Sequence, residues 1–310
     1  MATSREEKEK KLAVLLEKCM PLAVAFSGGV DSTYLLHEAV KAGKEKVTAL
    51  IMKTPSVPER ELDEAVAFCK SRGISFFVLP ADPFSAAGFR ENGRDRCYIC
   101  KHFLFSALLE KAKEEGIPFV ADGTNADDTK EFRPGLRALK ELDIRSPLAE
   151  AGLTKKEIRE LSEKEGLPTW NKPSFSCLAT RFPYGEELTV EKLRRTEAAE
   201  NLLAELGFTQ RRVRVHGNLA RIEVLPAEIP LLLERRDMIS SRLEELGFLY
   251  TTVDLKGFRS GSMDTAAVTK NTEAEDIKHE YSMAARNFDK LPKDVLDKMK
   301  RQHNKGKKDE

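Results

Sequence analysis

Between a short apolar run and a helix start lie Ser27-Gly28-Gly29-Val30-Asp31-Ser32. Glycines let backbone amides approach an anion closely. A helix N-terminus adds partial positive charge, and Ser27 and Ser32 bring hydroxyl donors. That combination suits phosphate. It lacks the Gly-Lys-Ser/Thr of the Walker loop and the spacing of the dinucleotide loop. The plainer reading is a tight capped turn. A second loop, Asp122-Gly123-Thr124-Asn125-Ala126-Asp127-Asp128, follows another apolar run. Asp128 and its neighbours offer carboxylates for Mg²⁺, and Thr124 and Asn125 offer hydroxyl and amide groups for phosphate. An ordinary Asn/Asp/Gly turn is its alternative.

Three cysteines form the next constellation. Cys97 and Cys100 stand in a C-x-x-C, and Cys177 lies in the segment 171–185. A C-x-x-C serves as a redox dithiol, as half of a zinc site, or as two loop cysteines. Zinc wants four ligands, which Cys97, Cys100, Cys177 and His102 would supply. Iron–sulfur clusters usually take four thiolates, so three would leave one iron open to a substrate or an extra sulfide. Arg94 and Arg96 are close enough in sequence to lower a thiol pKa or to contact substrate. Cys19 and Cys69 fall on apolar helix faces and read as core. Arg212 and Arg214 are two apart on an expected strand and so share a face. Paired guanidiniums suit a phosphate, and a solvated basic strand is the alternative. Arg181, four residues after Cys177, is placed to neutralise phosphate or adenylate charge.

The elements that must position these residues alternate in type. Helices are expected over 4–19, 30–43, 58–73 and 101–116, with strands at 21–26, 46–52, 74–80 and 117–123 and a weaker one at 144–150. Residues 81–100 read as loop. Thr154 and Glu157 make a capping box for a helix closing at Gly166. Strands alternating with helices imply an α/β fold with a mainly parallel sheet. After residue 183 the pattern changes to a helix (189–207), a hairpin around His216-Gly217-Asn218, a helix (228–247) and a strand (248–255). This predicts a first domain over 1–182, a smaller α+β domain over 183–270, and a polar, mobile tail over 271–310.

Composition narrows the function classes. The 310 residues carry 52 basic and 51 acidic side chains, a net charge of +1. That balance provides no basic field for a nucleic-acid backbone. No run approaches the ~20 apolar residues of a membrane span. Five cysteines behind a charged N-terminus argue against a disulfide framework and for reduced thiols in a cytoplasm.

The loop SGGVDS resembles that of the PP-loop ATP pyrophosphatase superfamily, whose members adenylate a substrate oxygen and release pyrophosphate. The segment WNKPSFSCLATRFPYGEELT, with the two loops and RVRVHGNLARIEVL, resembles the LarE family over roughly residues 10–260. That resemblance implies a PP-loop fold and an ATP- and Mg²⁺-dependent sulfurtransferase. Its substrate would be a pyridinium-3,5-biscarboxylate mononucleotide, converted to thiocarboxylates during nickel-pincer nucleotide synthesis. It further implies ATP at Ser27, Gly28, Gly29, Asp31, Ser32, Thr124, Asn125 and Asp128. Substrate phosphate would meet Arg181, Arg212 and Arg214, and metal would meet Glu200 and Glu223. Because Cys97 and Cys100 accompany Cys177, the resemblance is to the form holding a [4Fe-4S] cluster fed by a sulfide source. In the single-cysteine form, the residue matching Cys177 gives up its own sulfur. A homo-oligomer is implied as well. An iron–sulfur tRNA thiolase of the same superfamily is the competing enzyme, an amide-forming ligase is a weaker one, and a non-catalytic nucleotide or iron–sulfur scaffold is the other class.

Overall fold

A computed structural model describes residues 4–130, 134–173, 175–259 and 261–263. The first half alternates as expected: α1 (Arg5–Lys18), β1 (Leu22–Ala25), α2 (Val30–Gly43), β2 (Val47–Lys53), α3 (Glu59–Ser71), β3 (Ser75–Pro80), α4 (Arg96–Glu114), β4 (Phe119–Ala121), α5 (Pro134–Glu141), α6 (Pro147–Ala151) and α7 (Lys155–Lys164). The four strands form a parallel sheet in the order β3-β2-β1-β4. Helices cover it, and Leu22, Val24, Leu35, Leu36, Ala49 and Ile51 build one buried core with α1, α2 and α7. This is the α/β fold that the alternating pattern predicts.

That strand order matters for the site. β1 and β4 are neighbours, with Val24 opposite Ala121. The loops leaving their carboxyl ends, 27–32 and 122–128, therefore emerge side by side, where open α/β sheets bind ligands. They touch. A methyl group built on Gly123 would lie 2.9 Å from the Ser32 amide nitrogen and 3.2 Å from the Asp31 carbonyl carbon. Gly28 has φ +69°, and α3 packs so close that a Cβ there would meet Ala65 Cβ at 3.2 Å.

The second half contains α8 (Val190–Glu205), β5 (Arg211–His216), β6 (Leu219–Val224), α9 (Ile229–Glu234), α10 (Arg236–Glu245) and β7 (Tyr250–Val253). β5 and β6 are the expected antiparallel hairpin, turning at Gly217 with φ +59°, and β7 joins β6 in parallel. Its core draws in Phe84, Phe89, Leu178 and Phe182 from earlier in the chain. Residues up to Arg259 belong to one compact unit, and 261–263 form a turn in a second unit beginning at Ser260. The tail expected over 271–310 lies outside the described residues. No helix among the described residues is long and apolar enough to cross a membrane.

Three local expectations are corrected. Residues 144–150 are not a strand: Arg145 makes a single bridge to Ala121, and Pro147 then opens α6. Proline at the first helical position is pre-set for a helix. The 228–247 helix divides at Arg235. The C-x-x-C is not in a loop, because α4 begins at Arg96 and places Cys97 in its first turn and Cys100 at the start of its second.

Gly123→Ala tests the contact between the two loops. Overpacking there costs about 1–3 kcal/mol and displaces the backbone of Ser32. Calorimetric titration with a non-hydrolysable ATP analogue is expected to show affinity weakened about tenfold or more, with the circular dichroism spectrum unchanged.

Candidate active site

The loop after β1 ends at the first turn of α2, with Gly29 as the cap. The Ser27 and Ser32 hydroxyls lie 3.1 Å apart, and Ser32 Oγ donates to the Gly29 carbonyl at 3.2 Å. Lys155, at the start of α7, binds Asp31 through Oδ2. Asp31 Oδ1 is buried without a hydrogen-bond partner. Burial pushes the Asp31 carboxyl above its usual range, and Lys155 pulls it back. An acceptor oxygen left open beside a phosphate-type loop suits a Mg²⁺ ion. In the neighbouring loop, Asp122 accepts from Thr124 Oγ1 at 2.5 Å and from Ser146 Oγ at 2.7 Å. Asn125 Oδ1 accepts from the amides of Asp127 and Asp128, and Asp128 Oδ2 accepts from the Asn125 amide at 3.1 Å. Asp128 acts electrostatically on Asp31.

Cys177 caps a 3-10 turn, Leu178–Arg181. Four contacts hold its backbone. Its carbonyl accepts from Thr180 N (3.0 Å), Thr180 Oγ1 (2.7 Å) and Arg181 Nη1 (3.2 Å), and the Leu178 amide donates to Ser56 O at 3.0 Å. α4 is brought to this segment by Arg96, which is 5% exposed, donates to Ala179 O at 3.0 Å and also binds Asn92 Oδ1. Asn92 Nδ2 in turn donates to Pro183 O at 2.7 Å. The three cysteines consequently sense one another. Burial pushes the Cys100 thiol far up, and Cys177 and Cys97 push it further, against Arg96 and Lys101. Burial raises Cys177 as well, opposed by the Ala179 amide, Arg96 and Ser56. Cys97 is exposed. Buried thiols that resist ionising alone, as Cys100 and Cys177 do, are the kind that a metal centre deprotonates on binding, and with Cys97 they make a donor set of the type that iron–sulfur clusters use. Cys19 and Cys69 are buried core residues.

Behind Cys177 lies a buried charge network. Arg181 is fully buried. It makes a bidentate pair with Glu200 at 2.8 and 2.9 Å, and its Nη1 donates to Ser176 and Thr180 as well as to Cys177. Its guanidinium thus holds the cysteine segment. Glu200 also accepts from the Val213 amide at 3.0 Å. Burial alone would raise Glu200, but Arg181 outweighs it and holds the carboxyl below its usual range. Arg212 and Arg214 share one face of β5, as the two-residue period predicts. Arg214 pairs with Glu223 at 3.0 Å, and Glu223 also takes Arg221 at 3.1 Å. Burial and the nearby Arg181 bring Arg212 down to about 9. Arg211, Arg212 and Arg60 all stack on the Phe175 ring, 5.1–5.7 Å from its centroid. Four buried guanidiniums (Arg181, Arg211, Arg212 and Arg214) thus crowd around Glu200 and Glu223, with buried Glu61 acting on Arg211 as well, and a guanidinium-rich site of this kind favours an anion.

One cavity of about 220 Å³ joins the nucleotide loop to the cysteine segment: Ser27, Gly29 and Asp31 line it with Lys172, Phe175 and Cys177, and Arg181, Arg212 and Arg214 are not among its lining residues. Glu200 and Glu223, expected to meet metal, spend their oxygens on arginines and a backbone amide. Among the described residues, donors close enough to share one ion are found at His37, Glu38 and Glu165. There Lys41 already donates to both carboxylates, at 3.0 and 2.8 Å. Neither His102 nor the trio Cys97, Cys100 and Cys177 forms such a group, so the four-ligand zinc arrangement is not assembled. Arg94 is not among the residues lining the cavity. Sequence reading missed Lys155, Lys172, Glu61, Ser56 and Phe175. Position offered a signal for two of them: Lys155 directly follows a helix cap, and Phe175 lies two residues before Cys177.

The sequence pattern of the NAD synthase family matches residues 12–99. The chain is 37% identical over 258 residues to the pyridinium-3,5-bisthiocarboxylic acid mononucleotide synthase of Lactiplantibacillus plantarum, covering 83% of this chain and 94% of that one. It is 40% identical to an uncharacterized protein of Synechocystis sp., covering 78% and 91%. A tRNA-specific 2-thiouridylase of Thermus thermophilus matches at 28%, over 50% of this chain and 53% of its own.

Glu200→Gln leaves Arg181 charged, buried and unpaired, which is expected to cost about 3–5 kcal/mol in denaturant unfolding. Because Glu200 is held below its usual range, the wild-type pair contributes fully above the unfolded value of about 4.3. Its contribution fades as pH falls through the lower folded value, so the variant's acid stability profile should be flatter. In metal-free protein at about pH 8, iodoacetamide should label Cys97 first, with Cys100 and Cys177 lagging as protonated thiols. Mass mapping of the labelled peptides checks that order.

Proposed function

The chain belongs to the family of the pyridinium-3,5-bisthiocarboxylic acid mononucleotide synthases, the LarE family, and from that membership we propose the following reaction. The protein adenylates the carboxylates of a pyridinium-3,5-biscarboxylate mononucleotide with ATP and exchanges each for a thiocarboxylate, in the synthesis of a nickel-pincer nucleotide. The observation that carries this reading is a cavity lined by both the nucleotide loop and Cys177. Activation and sulfur delivery must act on one acyl carbon, so their groups must share one space.

In this reading the amides and hydroxyls of residues 27–32 hold the ATP phosphates at the N-terminus of α2. Asp31 Oδ1 and Asp128 would hold Mg²⁺, and the buried Thr124 and Asn125 fix the shape of the 122–128 loop through their bonds to Asp122, Asp127 and Asp128. Arg212 and Arg214, in the surplus positive field, take the mononucleotide phosphate, and the half of the chain carrying β5–β7 serves as the substrate side. Arg181 contributes charge to that field while holding Cys177. A substrate carboxylate oxygen attacks the α-phosphorus, pyrophosphate leaves, and an acyl-adenylate forms. A sulfur nucleophile then takes the acyl carbon and AMP departs, so each thiocarboxylate consumes one ATP. Cys97, Cys100 and Cys177 would hold a [4Fe-4S] cluster, whose chemistry is to carry an exchangeable sulfur on an iron that no protein thiolate occupies. Neither a hydroxyl nucleophile nor a general base is required.

The tRNA thiolase reading is weaker, because that likeness spans half of the chain whereas the mononucleotide synthase spans most of it. Anaerobically purified protein, given ATP and the biscarboxylate mononucleotide, is expected to release pyrophosphate only with the mononucleotide present. It should also carry about four iron and four sulfide per chain, lost in Cys97→Ala. Pyrophosphate release indifferent to the mononucleotide would refute the adenylation. Iron-free protein that still makes thiocarboxylate once per chain would make Cys177 itself the sulfur donor.

A further inference from the structure

Lys172 stands five residues before Cys177, with its side chain 13% exposed. Its ammonium donates to the Gly28 carbonyl at 3.1 Å and to Glu64 Oε2 at 2.7 Å, and pairs with Glu61 Oε2 at 2.7 Å. One cation therefore ties together the nucleotide loop, the first half of α3 and the start of the cysteine segment. Its root is fixed separately. Arg159 of α7 donates to the carbonyls of Trp170 at 2.6 Å and Lys172 at 2.9 Å. Downstream, Phe175 is held by three guanidiniums and Leu178 by Ser56. The path from Gly28 to Cys177 is thus braced at each end.

We propose that Lys172 is a positioning residue that keeps Cys177 in register with nucleotide bound on the loop; this rests on the adenylation and sulfur-transfer reading above. The reason is electrostatic. A polyphosphate beside Gly28 would pull a lone ammonium onto itself, but Glu61 and Glu64 balance Lys172 and keep it on the Gly28 carbonyl. Without the ammonium, Glu61, 6% exposed and lining the cavity, loses its 2.7 Å partner and keeps only the longer ion pair of Oε1 with Arg60 at 3.6 Å. The loop and the cysteine segment then lose their common anchor. An acyl-adenylate has two fates: sulfur attack gives thiocarboxylate and AMP, while water gives back the carboxylate and AMP. Register between the acyl carbon and the sulfur side decides between them.

The test measures thiocarboxylate formed per pyrophosphate released, both from the same anaerobic reaction. Wild-type protein is expected to give a ratio near one. In Lys172→Met the ratio should fall about tenfold, since misplacement on the order of 1 Å costs up to ~100-fold, and carboxylate should be regenerated alongside AMP. Lys172→Arg, which keeps the charge and reach, should restore most of the ratio. Glu64→Gln alters only a half-exposed partner and should fold normally, with a smaller fall in the same direction. A Lys172→Met protein that loses pyrophosphate release and product in parallel, at the wild-type ratio, would overturn the inference. So would a wild-type ratio in Glu64→Gln together with no rescue by arginine. Wild-type protein that releases no pyrophosphate in response to the mononucleotide would instead overturn the adenylation reading, and this inference with it.

Discussion

The pair of Arg181 and Glu200 governs the arrangement of this site. Burying a guanidinium completely is costly unless its donors are all engaged. Here two meet the Glu200 carboxylate and the rest meet Ser176, Cys177 and Thr180. That requirement folds the chain around Arg181 into a 3-10 turn and fixes Cys177 at its head. Glu200 belongs to α8 and accepts from the amide of Val213 on β5. The same carboxylate therefore docks the cysteine segment onto the second sheet. One ion pair joins the sulfur side to the anion side.

Charge is distributed unevenly on either side of that pair. Around the nucleotide loop, Asp31 has Lys155 and Glu61 has Lys172, and each carboxylate keeps one oxygen without a hydrogen-bond partner. Around β5, guanidiniums outnumber carboxylates, and burial first, with the neighbouring guanidiniums second, lowers Arg211, Arg212 and Arg214. In the proposed reaction the first environment would take the metal-bound polyphosphate and the second an anionic group of the substrate.

Small residues make the two halves fit. Gly28 and Gly123 allow α3 and the second loop to lie against the first loop at separations that a methyl group would break. The nucleotide loop is consequently clamped from both sides before any ligand arrives. Such preorganisation spares the cost of ordering the loop on binding.

Several of these features are set by short-range rules and were legible in the residues alone. The run from β1 through SGGVDS into α2, the Thr154–Glu157 capping box and the β5–β6 hairpin all depend on neighbours within a few positions. The shared face of Arg212 and Arg214 follows from strand period. Tertiary contacts decided the rest. α4 starts at Arg96 because Ala179, far along the chain, supplies a carbonyl for its guanidinium, and no local propensity encodes that. Residues 144–150, apolar enough for a strand, became a bridge from Arg145 to Ala121 of β4 followed by a helix that Pro147 opens. Arg181 looks from sequence like a phosphate ligand, and only burial against Glu200 shows it holding Cys177. Lys172 looks like a surface lysine until α3 brings two carboxylates to it. Residue types and spacing named the chemistry of this protein. Long-range burial, which forces each charge to find a partner, determined which side chains face the cavity and which ones hold them there.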